Sequence, residues 1–300
     1  MKAQSASWLI AMLVFLPGVG YAQHVKPSTR LLGFADFSFL STERDIPEGF
    51  REGQVVAHLA SELSNRVSFF SEASATATST GFNVEVERII VRYNVSDALR
   101  VSGGRFHTPI AWWNTTYHHG QWFQTPVSRP EPVRGGSVLA PLHFVGAMAE
   151  GELALARGAV SYAAGIGNGR GKTLTRAGDA GEQNPSYATT AMLRYSPGGL
   201  RALHVGVAIY NDKPTTDSVQ VNERIANAHV AWHGRRVELI AEAFSFRHEV
   251  ADSTRKGAGR SAYAQVSYRL PGVLDKVRPY IRWDRVDIVT SNPALSPTTL

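Results

Sequence analysis

Four histidines stand in or beside one stretch of the chain: His107, His118, His119 and His143. Imidazole is a common metal ligand, so adjacent histidines in an irregular segment could bind a metal ion if a third ligand stood near them. No carboxylate lies at a recognised metal-binding spacing from His118 and His119. The sequence therefore predicts histidines that pack by hydrogen bonds, with no metal centre and no cofactor.

The glycine-rich run 165–173 superficially resembles a phosphate-binding P-loop, but it has Ile166 where the first glycine is required. The sequence has no Gly-x-Ser-x-Gly nucleophile elbow. Serines, histidines and aspartates scattered along a sequence are not evidence for a catalytic triad unless their geometry is known. We interpret 165–173 as a flexible loop, and the sequence predicts no catalytic residue.

The stretch from Gly104 to Phe144 has the most unusual composition in the chain. Three of the six tryptophans and four of the fifteen prolines fall between Thr108 and Pro132. Prolines at this density do not fit a central strand or a helix interior. The sequence therefore predicts an aromatic loop of about 35 residues over 108–142, hereafter the long loop. Its candidate functional residues are Trp112, Trp113, Tyr117, His118, His119, Trp122, Arg129 and Arg134.

The N-terminus is typical of a secretory signal peptide over 1–22. Lys2 precedes an apolar run, and small residues stand at Gly20 and Ala22. The run is too short for a spanning helix, and no later stretch approaches about 18 consecutive apolar residues. The 300-residue chain has no cysteine and therefore no disulfide. Its net charge of +6 fits weak attraction to anions but, without a basic helix, not nucleic-acid binding.

Beyond the signal peptide, segments of about ten residues with β-rich or alternating character are separated by turn signals. Segments of this length suit strands that cross a bilayer at a tilt. The predicted strands are 29–40, 53–64, 66–76, 82–93, 97–107, 143–155, 159–168, 187–196, 200–210, 223–233, 235–247, 260–270 and 277–288.

The predicted connections between these strands alternate between long and short. The long ones include 108–142, 169–186, 211–222 and 248–259, and the short ones are turns such as the one at Asn65. Transmembrane barrels have short periplasmic turns and longer extracellular loops. The pattern favours an all-β fold, namely a transmembrane antiparallel β-barrel over 23–300.

Side-chain alternation assigns a lipid-facing and a lumen-facing side to most strands. In 223–233, Ala226, Ala228 and Val230 alternate with Asn227 and His229. Small apolar residues suit lipid contact better than a packed sandwich core. The parity of 82–93 is unclear, because Glu85 and Glu87 share a face with Tyr93. The residues predicted to face the lumen are His58, Glu62, Glu72, Arg194, His204, His229, Glu238, Glu242, Gln265, Arg269, Arg282 and Asp284.

The predicted strand count is odd, whereas bacterial single-chain barrels have an even number of strands. A closed barrel leaves no edges facing lipid. We therefore expect a C-terminal truncation that removes about three strands of a barrel of about sixteen.

Gly104-Arg105-Phe106-His107-Thr108-Pro109, followed by an aromatic loop, resembles the Gly-x-Phe-x-x-Pro stretch of the phosphate-selective porin O/P family and related porin-like proteins. The resemblance implies a barrel of about sixteen strands, commonly a homotrimer, that passes small solutes and narrows at a folded-in loop. Phosphate selectivity in that family is attributed to lysines in the constriction, but this loop contains none and has only Arg129 and Arg134 with Glu131.

The sequence thus predicts a porin of the bacterial outer membrane. It would contact outer-membrane lipid, let small hydrophilic solutes or ions diffuse passively, and be narrowed by the 108–142 loop. One alternative is a structural or adhesive barrel with a plugged lumen. The other is an exported all-β carbohydrate-active enzyme, which would need paired carboxylates at a defined separation.

Overall fold

The structure is a computed structural model. It describes residues 27–41, 48–117, 124–126, 128–171, 174–175, 178–184, 186–216, 219–251, 253–289 and 292–295. The predicted signal peptide 1–22 lies outside the described residues, as do His118, His119 and Trp122. In the part of the chain that is described, no helix is long and apolar enough to cross a membrane.

The protein is all-β and consists of one antiparallel sheet in which the long strands are neighbours in sequence order. The strands are β1 (Ser28–Leu40), β2 (Gly49–Glu62), β3 (Val67–Thr78), β4 (Gly81–Ser96), β5 (Leu99–His107), β6 (His143–Leu155), β7 (Gly158–Asn168), β8 (Ala188–Pro197), β9 (Leu203–Asp212), β10 (Thr215–Thr216), β11 (Val219–His233), β12 (Val237–Val250), β13 (Lys256–Tyr268) and β14 (Tyr280–Ile288). The two-residue β10 pairs with β11 beside the main path. Within the described ranges, helical structure consists of α1 (Trp112–Tyr117) and two 3-10 turns, Glu131–Val133 and Gly272–Leu274.

All thirteen predicted strands are present, so the alternation rule identified the elements correctly. Two predicted long connections, 211–222 and 248–259, were too long. The ladder between β11 and β12 extends from Val221–Val250 to His233–Glu238, so residues assigned to loops are paired. The contrast between the two ends of the sheet is therefore smaller than the sequence predicts.

The sheet is an antiparallel β-barrel wall that does not close on itself. Among the described residues, β1 pairs only with β2, and β14 pairs only with β13.

The two faces of the sheet differ in what covers them. The loop face, defined as the face that contacts the long loop, carries Glu223, Ile225, Asn227 and His229 on β11, and these side chains are buried. The outer face carries large apolar side chains that are exposed. Leu193, Val207 and Ile209 are 51–55% exposed and form a continuous group across β8 and β9. Tyr93, Tyr195, Trp232 and Tyr268 lie on this face beside the shorter connections.

A β-bulge explains why the parity of 82–93 was unclear. Glu72 pairs with Arg88 and Ala73 pairs with Val86, so Glu87 is an extra residue in β4. A bulge inserts one residue and reverses the alternation beyond it. Glu85 consequently lies on the loop face before the bulge, and Arg88 and Arg92 lie on it after the bulge.

A cluster of buried apolar residues joins the long loop to the loop face. Ile110, Trp113 and Leu139 from the loop belong to one cluster with Phe144 and Phe246 from the wall. The loop face is therefore not uniformly polar: on β12 it carries Ile240, Phe244 and Phe246 among the acidic residues.

Candidate functional site

The long loop leaves β5 and returns to β6 through a hydrogen-bonded base. The amide N–H of Thr108 donates to the carbonyl oxygen of Leu142 at 3.0 Å. The side-chain amide of Asn114 donates to the same two residues, at 3.0 Å to the Thr108 carbonyl and 3.1 Å to the Leu142 carbonyl. This buried asparagine holds the two ends of the loop together.

The first turn of α1 is attached to the wall by one buried carboxylate. The amide N–H groups of Trp112 and Trp113 donate to Glu242 Oε2 and Oε1 at 2.8 and 2.9 Å. Glu242 also accepts the Tyr263 hydroxyl at 2.5 Å and the Asn227 amide at 3.1 Å. Charged acceptors make the stronger hydrogen bonds in proteins, and here a fully hydrogen-bonded carboxylate fixes the loop.

Ala111 precedes these two amides in the left-handed region, with a φ of 70°. That conformation costs a non-glycine residue about 1–2 kcal/mol. Ala111 is 4% exposed, so the unfavourable backbone is held inside the packed loop.

The Trp112 indole lies among cationic and imidazole side chains of three strands. The guanidinium carbon of Arg194 stands 4.5 Å from its ring centroid, within cation–π range. The rings of His204 and His233 stack on it at 4.9 and 5.3 Å, and that of His229 lies tilted at 5.6 Å. We call these five residues the Trp112 cluster.

The next two aromatic residues of the loop pack in the same region. Trp113 is 1% exposed and meets the Tyr263 ring edge-to-face at 6.3 Å. Tyr117 meets Trp113 at 5.3 Å. Burial raises the pKa of the Tyr117 phenol well above its ordinary value, and the Glu238 carboxylate adds to this, so the hydroxyl stays protonated.

Beyond α1 the loop contacts the last strands of the sheet. The Thr125 hydroxyl lies 3.4 Å from both Glu238 and the Arg278 guanidinium. Arg282 donates to the Ser128 carbonyl oxygen at 2.5 Å and to the Ser128 hydroxyl at 2.8 Å, and it also bonds Asp284 at 2.6 Å.

Arg129, the next residue, lies near β4, which is far from β14 in the strand order of the sheet. Burial lowers the pKa of its guanidinium, and the negative charge of Glu87 opposes that shift. The long loop therefore contacts β14 at Ser128, and its next residue, Arg129, interacts electrostatically with a carboxylate of β4. Arg134 is exposed instead, and a hydrogen bond from its guanidinium to Glu131 raises its pKa.

The returning part of the loop is held by Arg170, which follows β7. Arg170 is 1% exposed and donates from two guanidinium nitrogens to Glu223, one of them at 3.1 Å. Its third nitrogen donates to the Val138 carbonyl at 2.7 Å. Glu223 also contacts His248 at 2.9 Å. The interpretation of 165–173 as a flexible loop therefore misses a buried arginine that joins two loops to β11.

Along β2–β5 the described residues leave part of the loop face open. A cleft of about 300 Å³ is lined by His58, Ser68, Phe70, Arg88, Ile90 and Arg92. A second, of about 400 Å³, continues past Arg92 to Asn94 and Arg100. Glu72 contacts Arg88 at 2.5 Å and His58 at 2.7 Å. Glu150 contacts Arg92 at 2.7 Å and Arg100 at 3.7 Å, so two arginines share one carboxylate.

The predicted lumen-facing residues differ in what surrounds them. His58, Glu62 and Glu72 line or adjoin the clefts along β2–β5, and Gln265 is buried on the loop face of β13. Arg194, His204, His229, Glu238, Glu242 and Arg282 contact the long loop or the residues around it. Asp284 shares the loop face and pairs with Arg282. Arg269 lies beyond the end of β13 and is exposed. Among the described residues, no group of three or more metal-ligating side chains could hold a metal ion.

Sequence reasoning missed Asn114, Arg170 and Glu223. Asn114 could have been considered for the loop base, because a side-chain amide has two N–H donors and can bond two carbonyl groups. Arg170 gives no comparable signal, because its partner Glu223 is 53 residues away.

No protein-family model and no curated protein matches the chain. Solved outer-membrane proteins resemble the structure. A loop L8 deletion mutant of OmpT from Vibrio cholerae has 12% identity and a TM-score of 0.44, with 88% of this chain and 92% of that one covered. OccK2 from Pseudomonas aeruginosa has 11% identity and a TM-score of 0.36, with 88% and 93% covered. A BenF-like porin from Pseudomonas fluorescens has 8% identity and a TM-score of 0.32, with 88% and 94% covered. Likenesses at this level carry no argument about the function of this chain.

Proposed function

We propose that the protein is an outer-membrane channel through which small hydrophilic solutes or ions diffuse passively, and that the long loop narrows its lumen. It acts without catalysis. The outer face supports the location, because a group of half-exposed apolar side chains on neighbouring strands suits contact with lipid and not with water. Association into a homotrimer within the membrane is part of this proposal.

The attachment of the long loop to the loop face carries the proposal. Trp112 and Trp113 are buried there and not exposed above the sheet, and Glu242 fixes both of their amides. A loop held at its base, at Glu242, at Arg282 and at Arg170 has a defined position and can set a fixed aperture. The polar clefts along β2–β5 would supply the path for solutes beside it.

The lining of that path is mixed in charge. Arg88, Arg92 and Arg100 oppose Glu72 and Glu150. Opposed charges orient polar solutes, whereas rings of one sign select ions sharply. We therefore propose a channel of mild selectivity and not one dedicated to phosphate.

A second candidate is a structural or adhesive barrel whose lumen is plugged. The apolar cluster of loop and wall residues favours it, because a packed core could fill the interior.

Planar-bilayer recordings of the purified full-length protein separate the two. Stepwise conductance at neutral pH is expected for the channel, and a variant with residues 112–130 replaced by a short glycine-serine linker should show larger steps. Protein that inserts without any conductance, while the shortened variant conducts, would identify the plug. Absence of conductance from both would reject the channel.

A further inference from the structure

The Trp112 cluster has a charge balance unlike that of the other histidines on the loop face. His58 and His143 each contact a carboxylate, Glu72 and Glu87 respectively, at 2.7 and 2.9 Å. A proton added to either ring would strengthen an existing contact. In the cluster, the fixed charge beside Trp112 is the guanidinium of Arg194.

Two imidazoles of the cluster have no carboxylate partner among the described residues. His204 bonds the Ser196 hydroxyl at 2.8 Å. His229 is 5% exposed, and neither of its ring nitrogens has a partner in the described structure. His233 differs, because it contacts Glu238 at 3.2 Å.

The acidic groups around these rings already have other hydrogen-bond or ion-pair partners. Glu242 stands opposite His229 across the β11–β12 pair, but it accepts four hydrogen bonds from Trp112, Trp113, Asn227 and Tyr263. Glu238 contacts His233, Arg278 and Thr125. Among the described residues, two tyrosines also stand beside these groups: the Tyr117 ring meets that of His233, and the Tyr263 hydroxyl donates to Glu242.

We propose that the Trp112 cluster is an acid-sensitive latch, in which protons taken up by His204 and His229 release α1 from the wall and thereby gate the channel. This inference rests on the proposed function for its effect on conductance. Each proton adds a positive charge to a ring packed on the same indole as Arg194, and this charge repels the Arg194 guanidinium. A charge on His229 also draws Glu242 away from the amides of Trp112 and Trp113.

Acid favours release of α1 because the released state binds protons more readily than the attached state. With α1 attached, the two rings are packed and charging them is unfavourable. With α1 released, they are hydrated and titrate as ordinary histidines, between about pH 5 and 8. The released state therefore binds more protons and gains population as the pH falls, by up to about tenfold per pH unit for each proton taken up.

Amide hydrogen exchange of the 108–117 peptide in proteoliposomes tests the latch without requiring conductance. Wild type is compared with H204Q/H229Q at one pH, so that the intrinsic effect of pH on exchange cancels. We expect equal exchange at about pH 7.5 and at least about tenfold faster exchange in wild type at about pH 5. The control H58Q, on the carboxylate-paired histidine, should behave as wild type.

Equal exchange of wild type and H204Q/H229Q at both pH values would overturn the proposal. If the double variant does not assemble, the single variant H204Q tests the proposal, since His204 is only partly buried. H204Q should lose part of the acid-induced increase in exchange. Bilayer recordings then separate the channel from the latch. If acid changes the conductance of wild type but not of the variant, both proposals are supported. If the protein shows no conductance but its exchange responds to acid as expected, the channel is rejected and the latch is retained.

Discussion

The amide of Trp112 donates to Glu242 Oε2 at 2.8 Å, although the two residues are 130 positions apart in the chain. This contact and its neighbour at Trp113 join the only described α-helix to the middle of β12. A segment of the long loop is thereby fixed to the wall by a carboxylate at the level of the strands and not at their ends.

Replacing Glu242 with glutamine should loosen α1 without unfolding the sheet. Glutamine offers one acceptor oxygen, so one of the two amides is left facing an NH₂ group, at a cost of about 1–3 kcal/mol. Exchange of the 108–117 peptide should accelerate about ten- to hundredfold at neutral pH. Glu249→Gln is the matched control, because Glu249 is exposed and pairs only with Lys256 in the described structure. Unchanged exchange in Glu242→Gln would contradict the assigned role.

Replacing Arg170 with methionine should destabilise the returning half of the loop. It leaves Glu223 buried with His248 as its remaining ionisable contact, and breaking a buried pair costs about 3–5 kcal/mol. Limited proteolysis should then cut within 128–142 faster than in wild type. The double variant Arg170→Met/Glu223→Gln should be less sensitive than the single one, since no unpaired carboxylate remains. Equal sensitivity of the two variants would show that loss of the Arg170–Val138 hydrogen bond, and not the unpaired Glu223 carboxylate, opens the loop.

The strands could be predicted from sequence because the apolar side chains recur with period two, as in Val205, Val207 and Ile209. This period is local and needs no knowledge of partners. It failed where the backbone departs from it: the bulge at Glu87 reverses the faces of β4, and no residue type in that segment marks the reversal.

The candidate site was predictable only in part. The aromatic and proline content marked the long loop, and alternation placed Glu242 and His229 on one face. The contacts that position the loop join residues far apart in sequence, such as Arg170 to Val138 and Arg282 to Ser128. These depend on how the sheet curves and on the loop's path, which no single segment encodes.

A charge placed on the outer face should impair assembly in the membrane. Val207 is 54% exposed in the middle of β9, and an arginine at a lipid-facing midplane position costs about 2–4 kcal/mol. Val207→Arg should therefore lower the yield of the heat-modifiable folded form on a gel. Leu200→Arg is the control, because Leu200 is equally exposed but lies in the short connection after β8. Equal yields of the two variants would contradict contact of this face with lipid.

Neutralising Glu150 should shift the ion selectivity of the channel toward anions. Arg92 and Arg100 share this carboxylate, which is partly exposed beside the cleft of about 400 Å³ that both arginines line. Glu150→Gln removes the carboxylate that both guanidinium groups contact beside the proposed path, so the local potential becomes more positive and attracts anions. The reversal potential in a salt gradient measures the change, which should shrink at high salt because screening shortens the range of the field. Glu249→Gln changes the net charge by the same amount away from the path and should leave the reversal potential unaltered. If both variants shift it equally, the overall charge of the protein and not the lining of this cleft sets the selectivity.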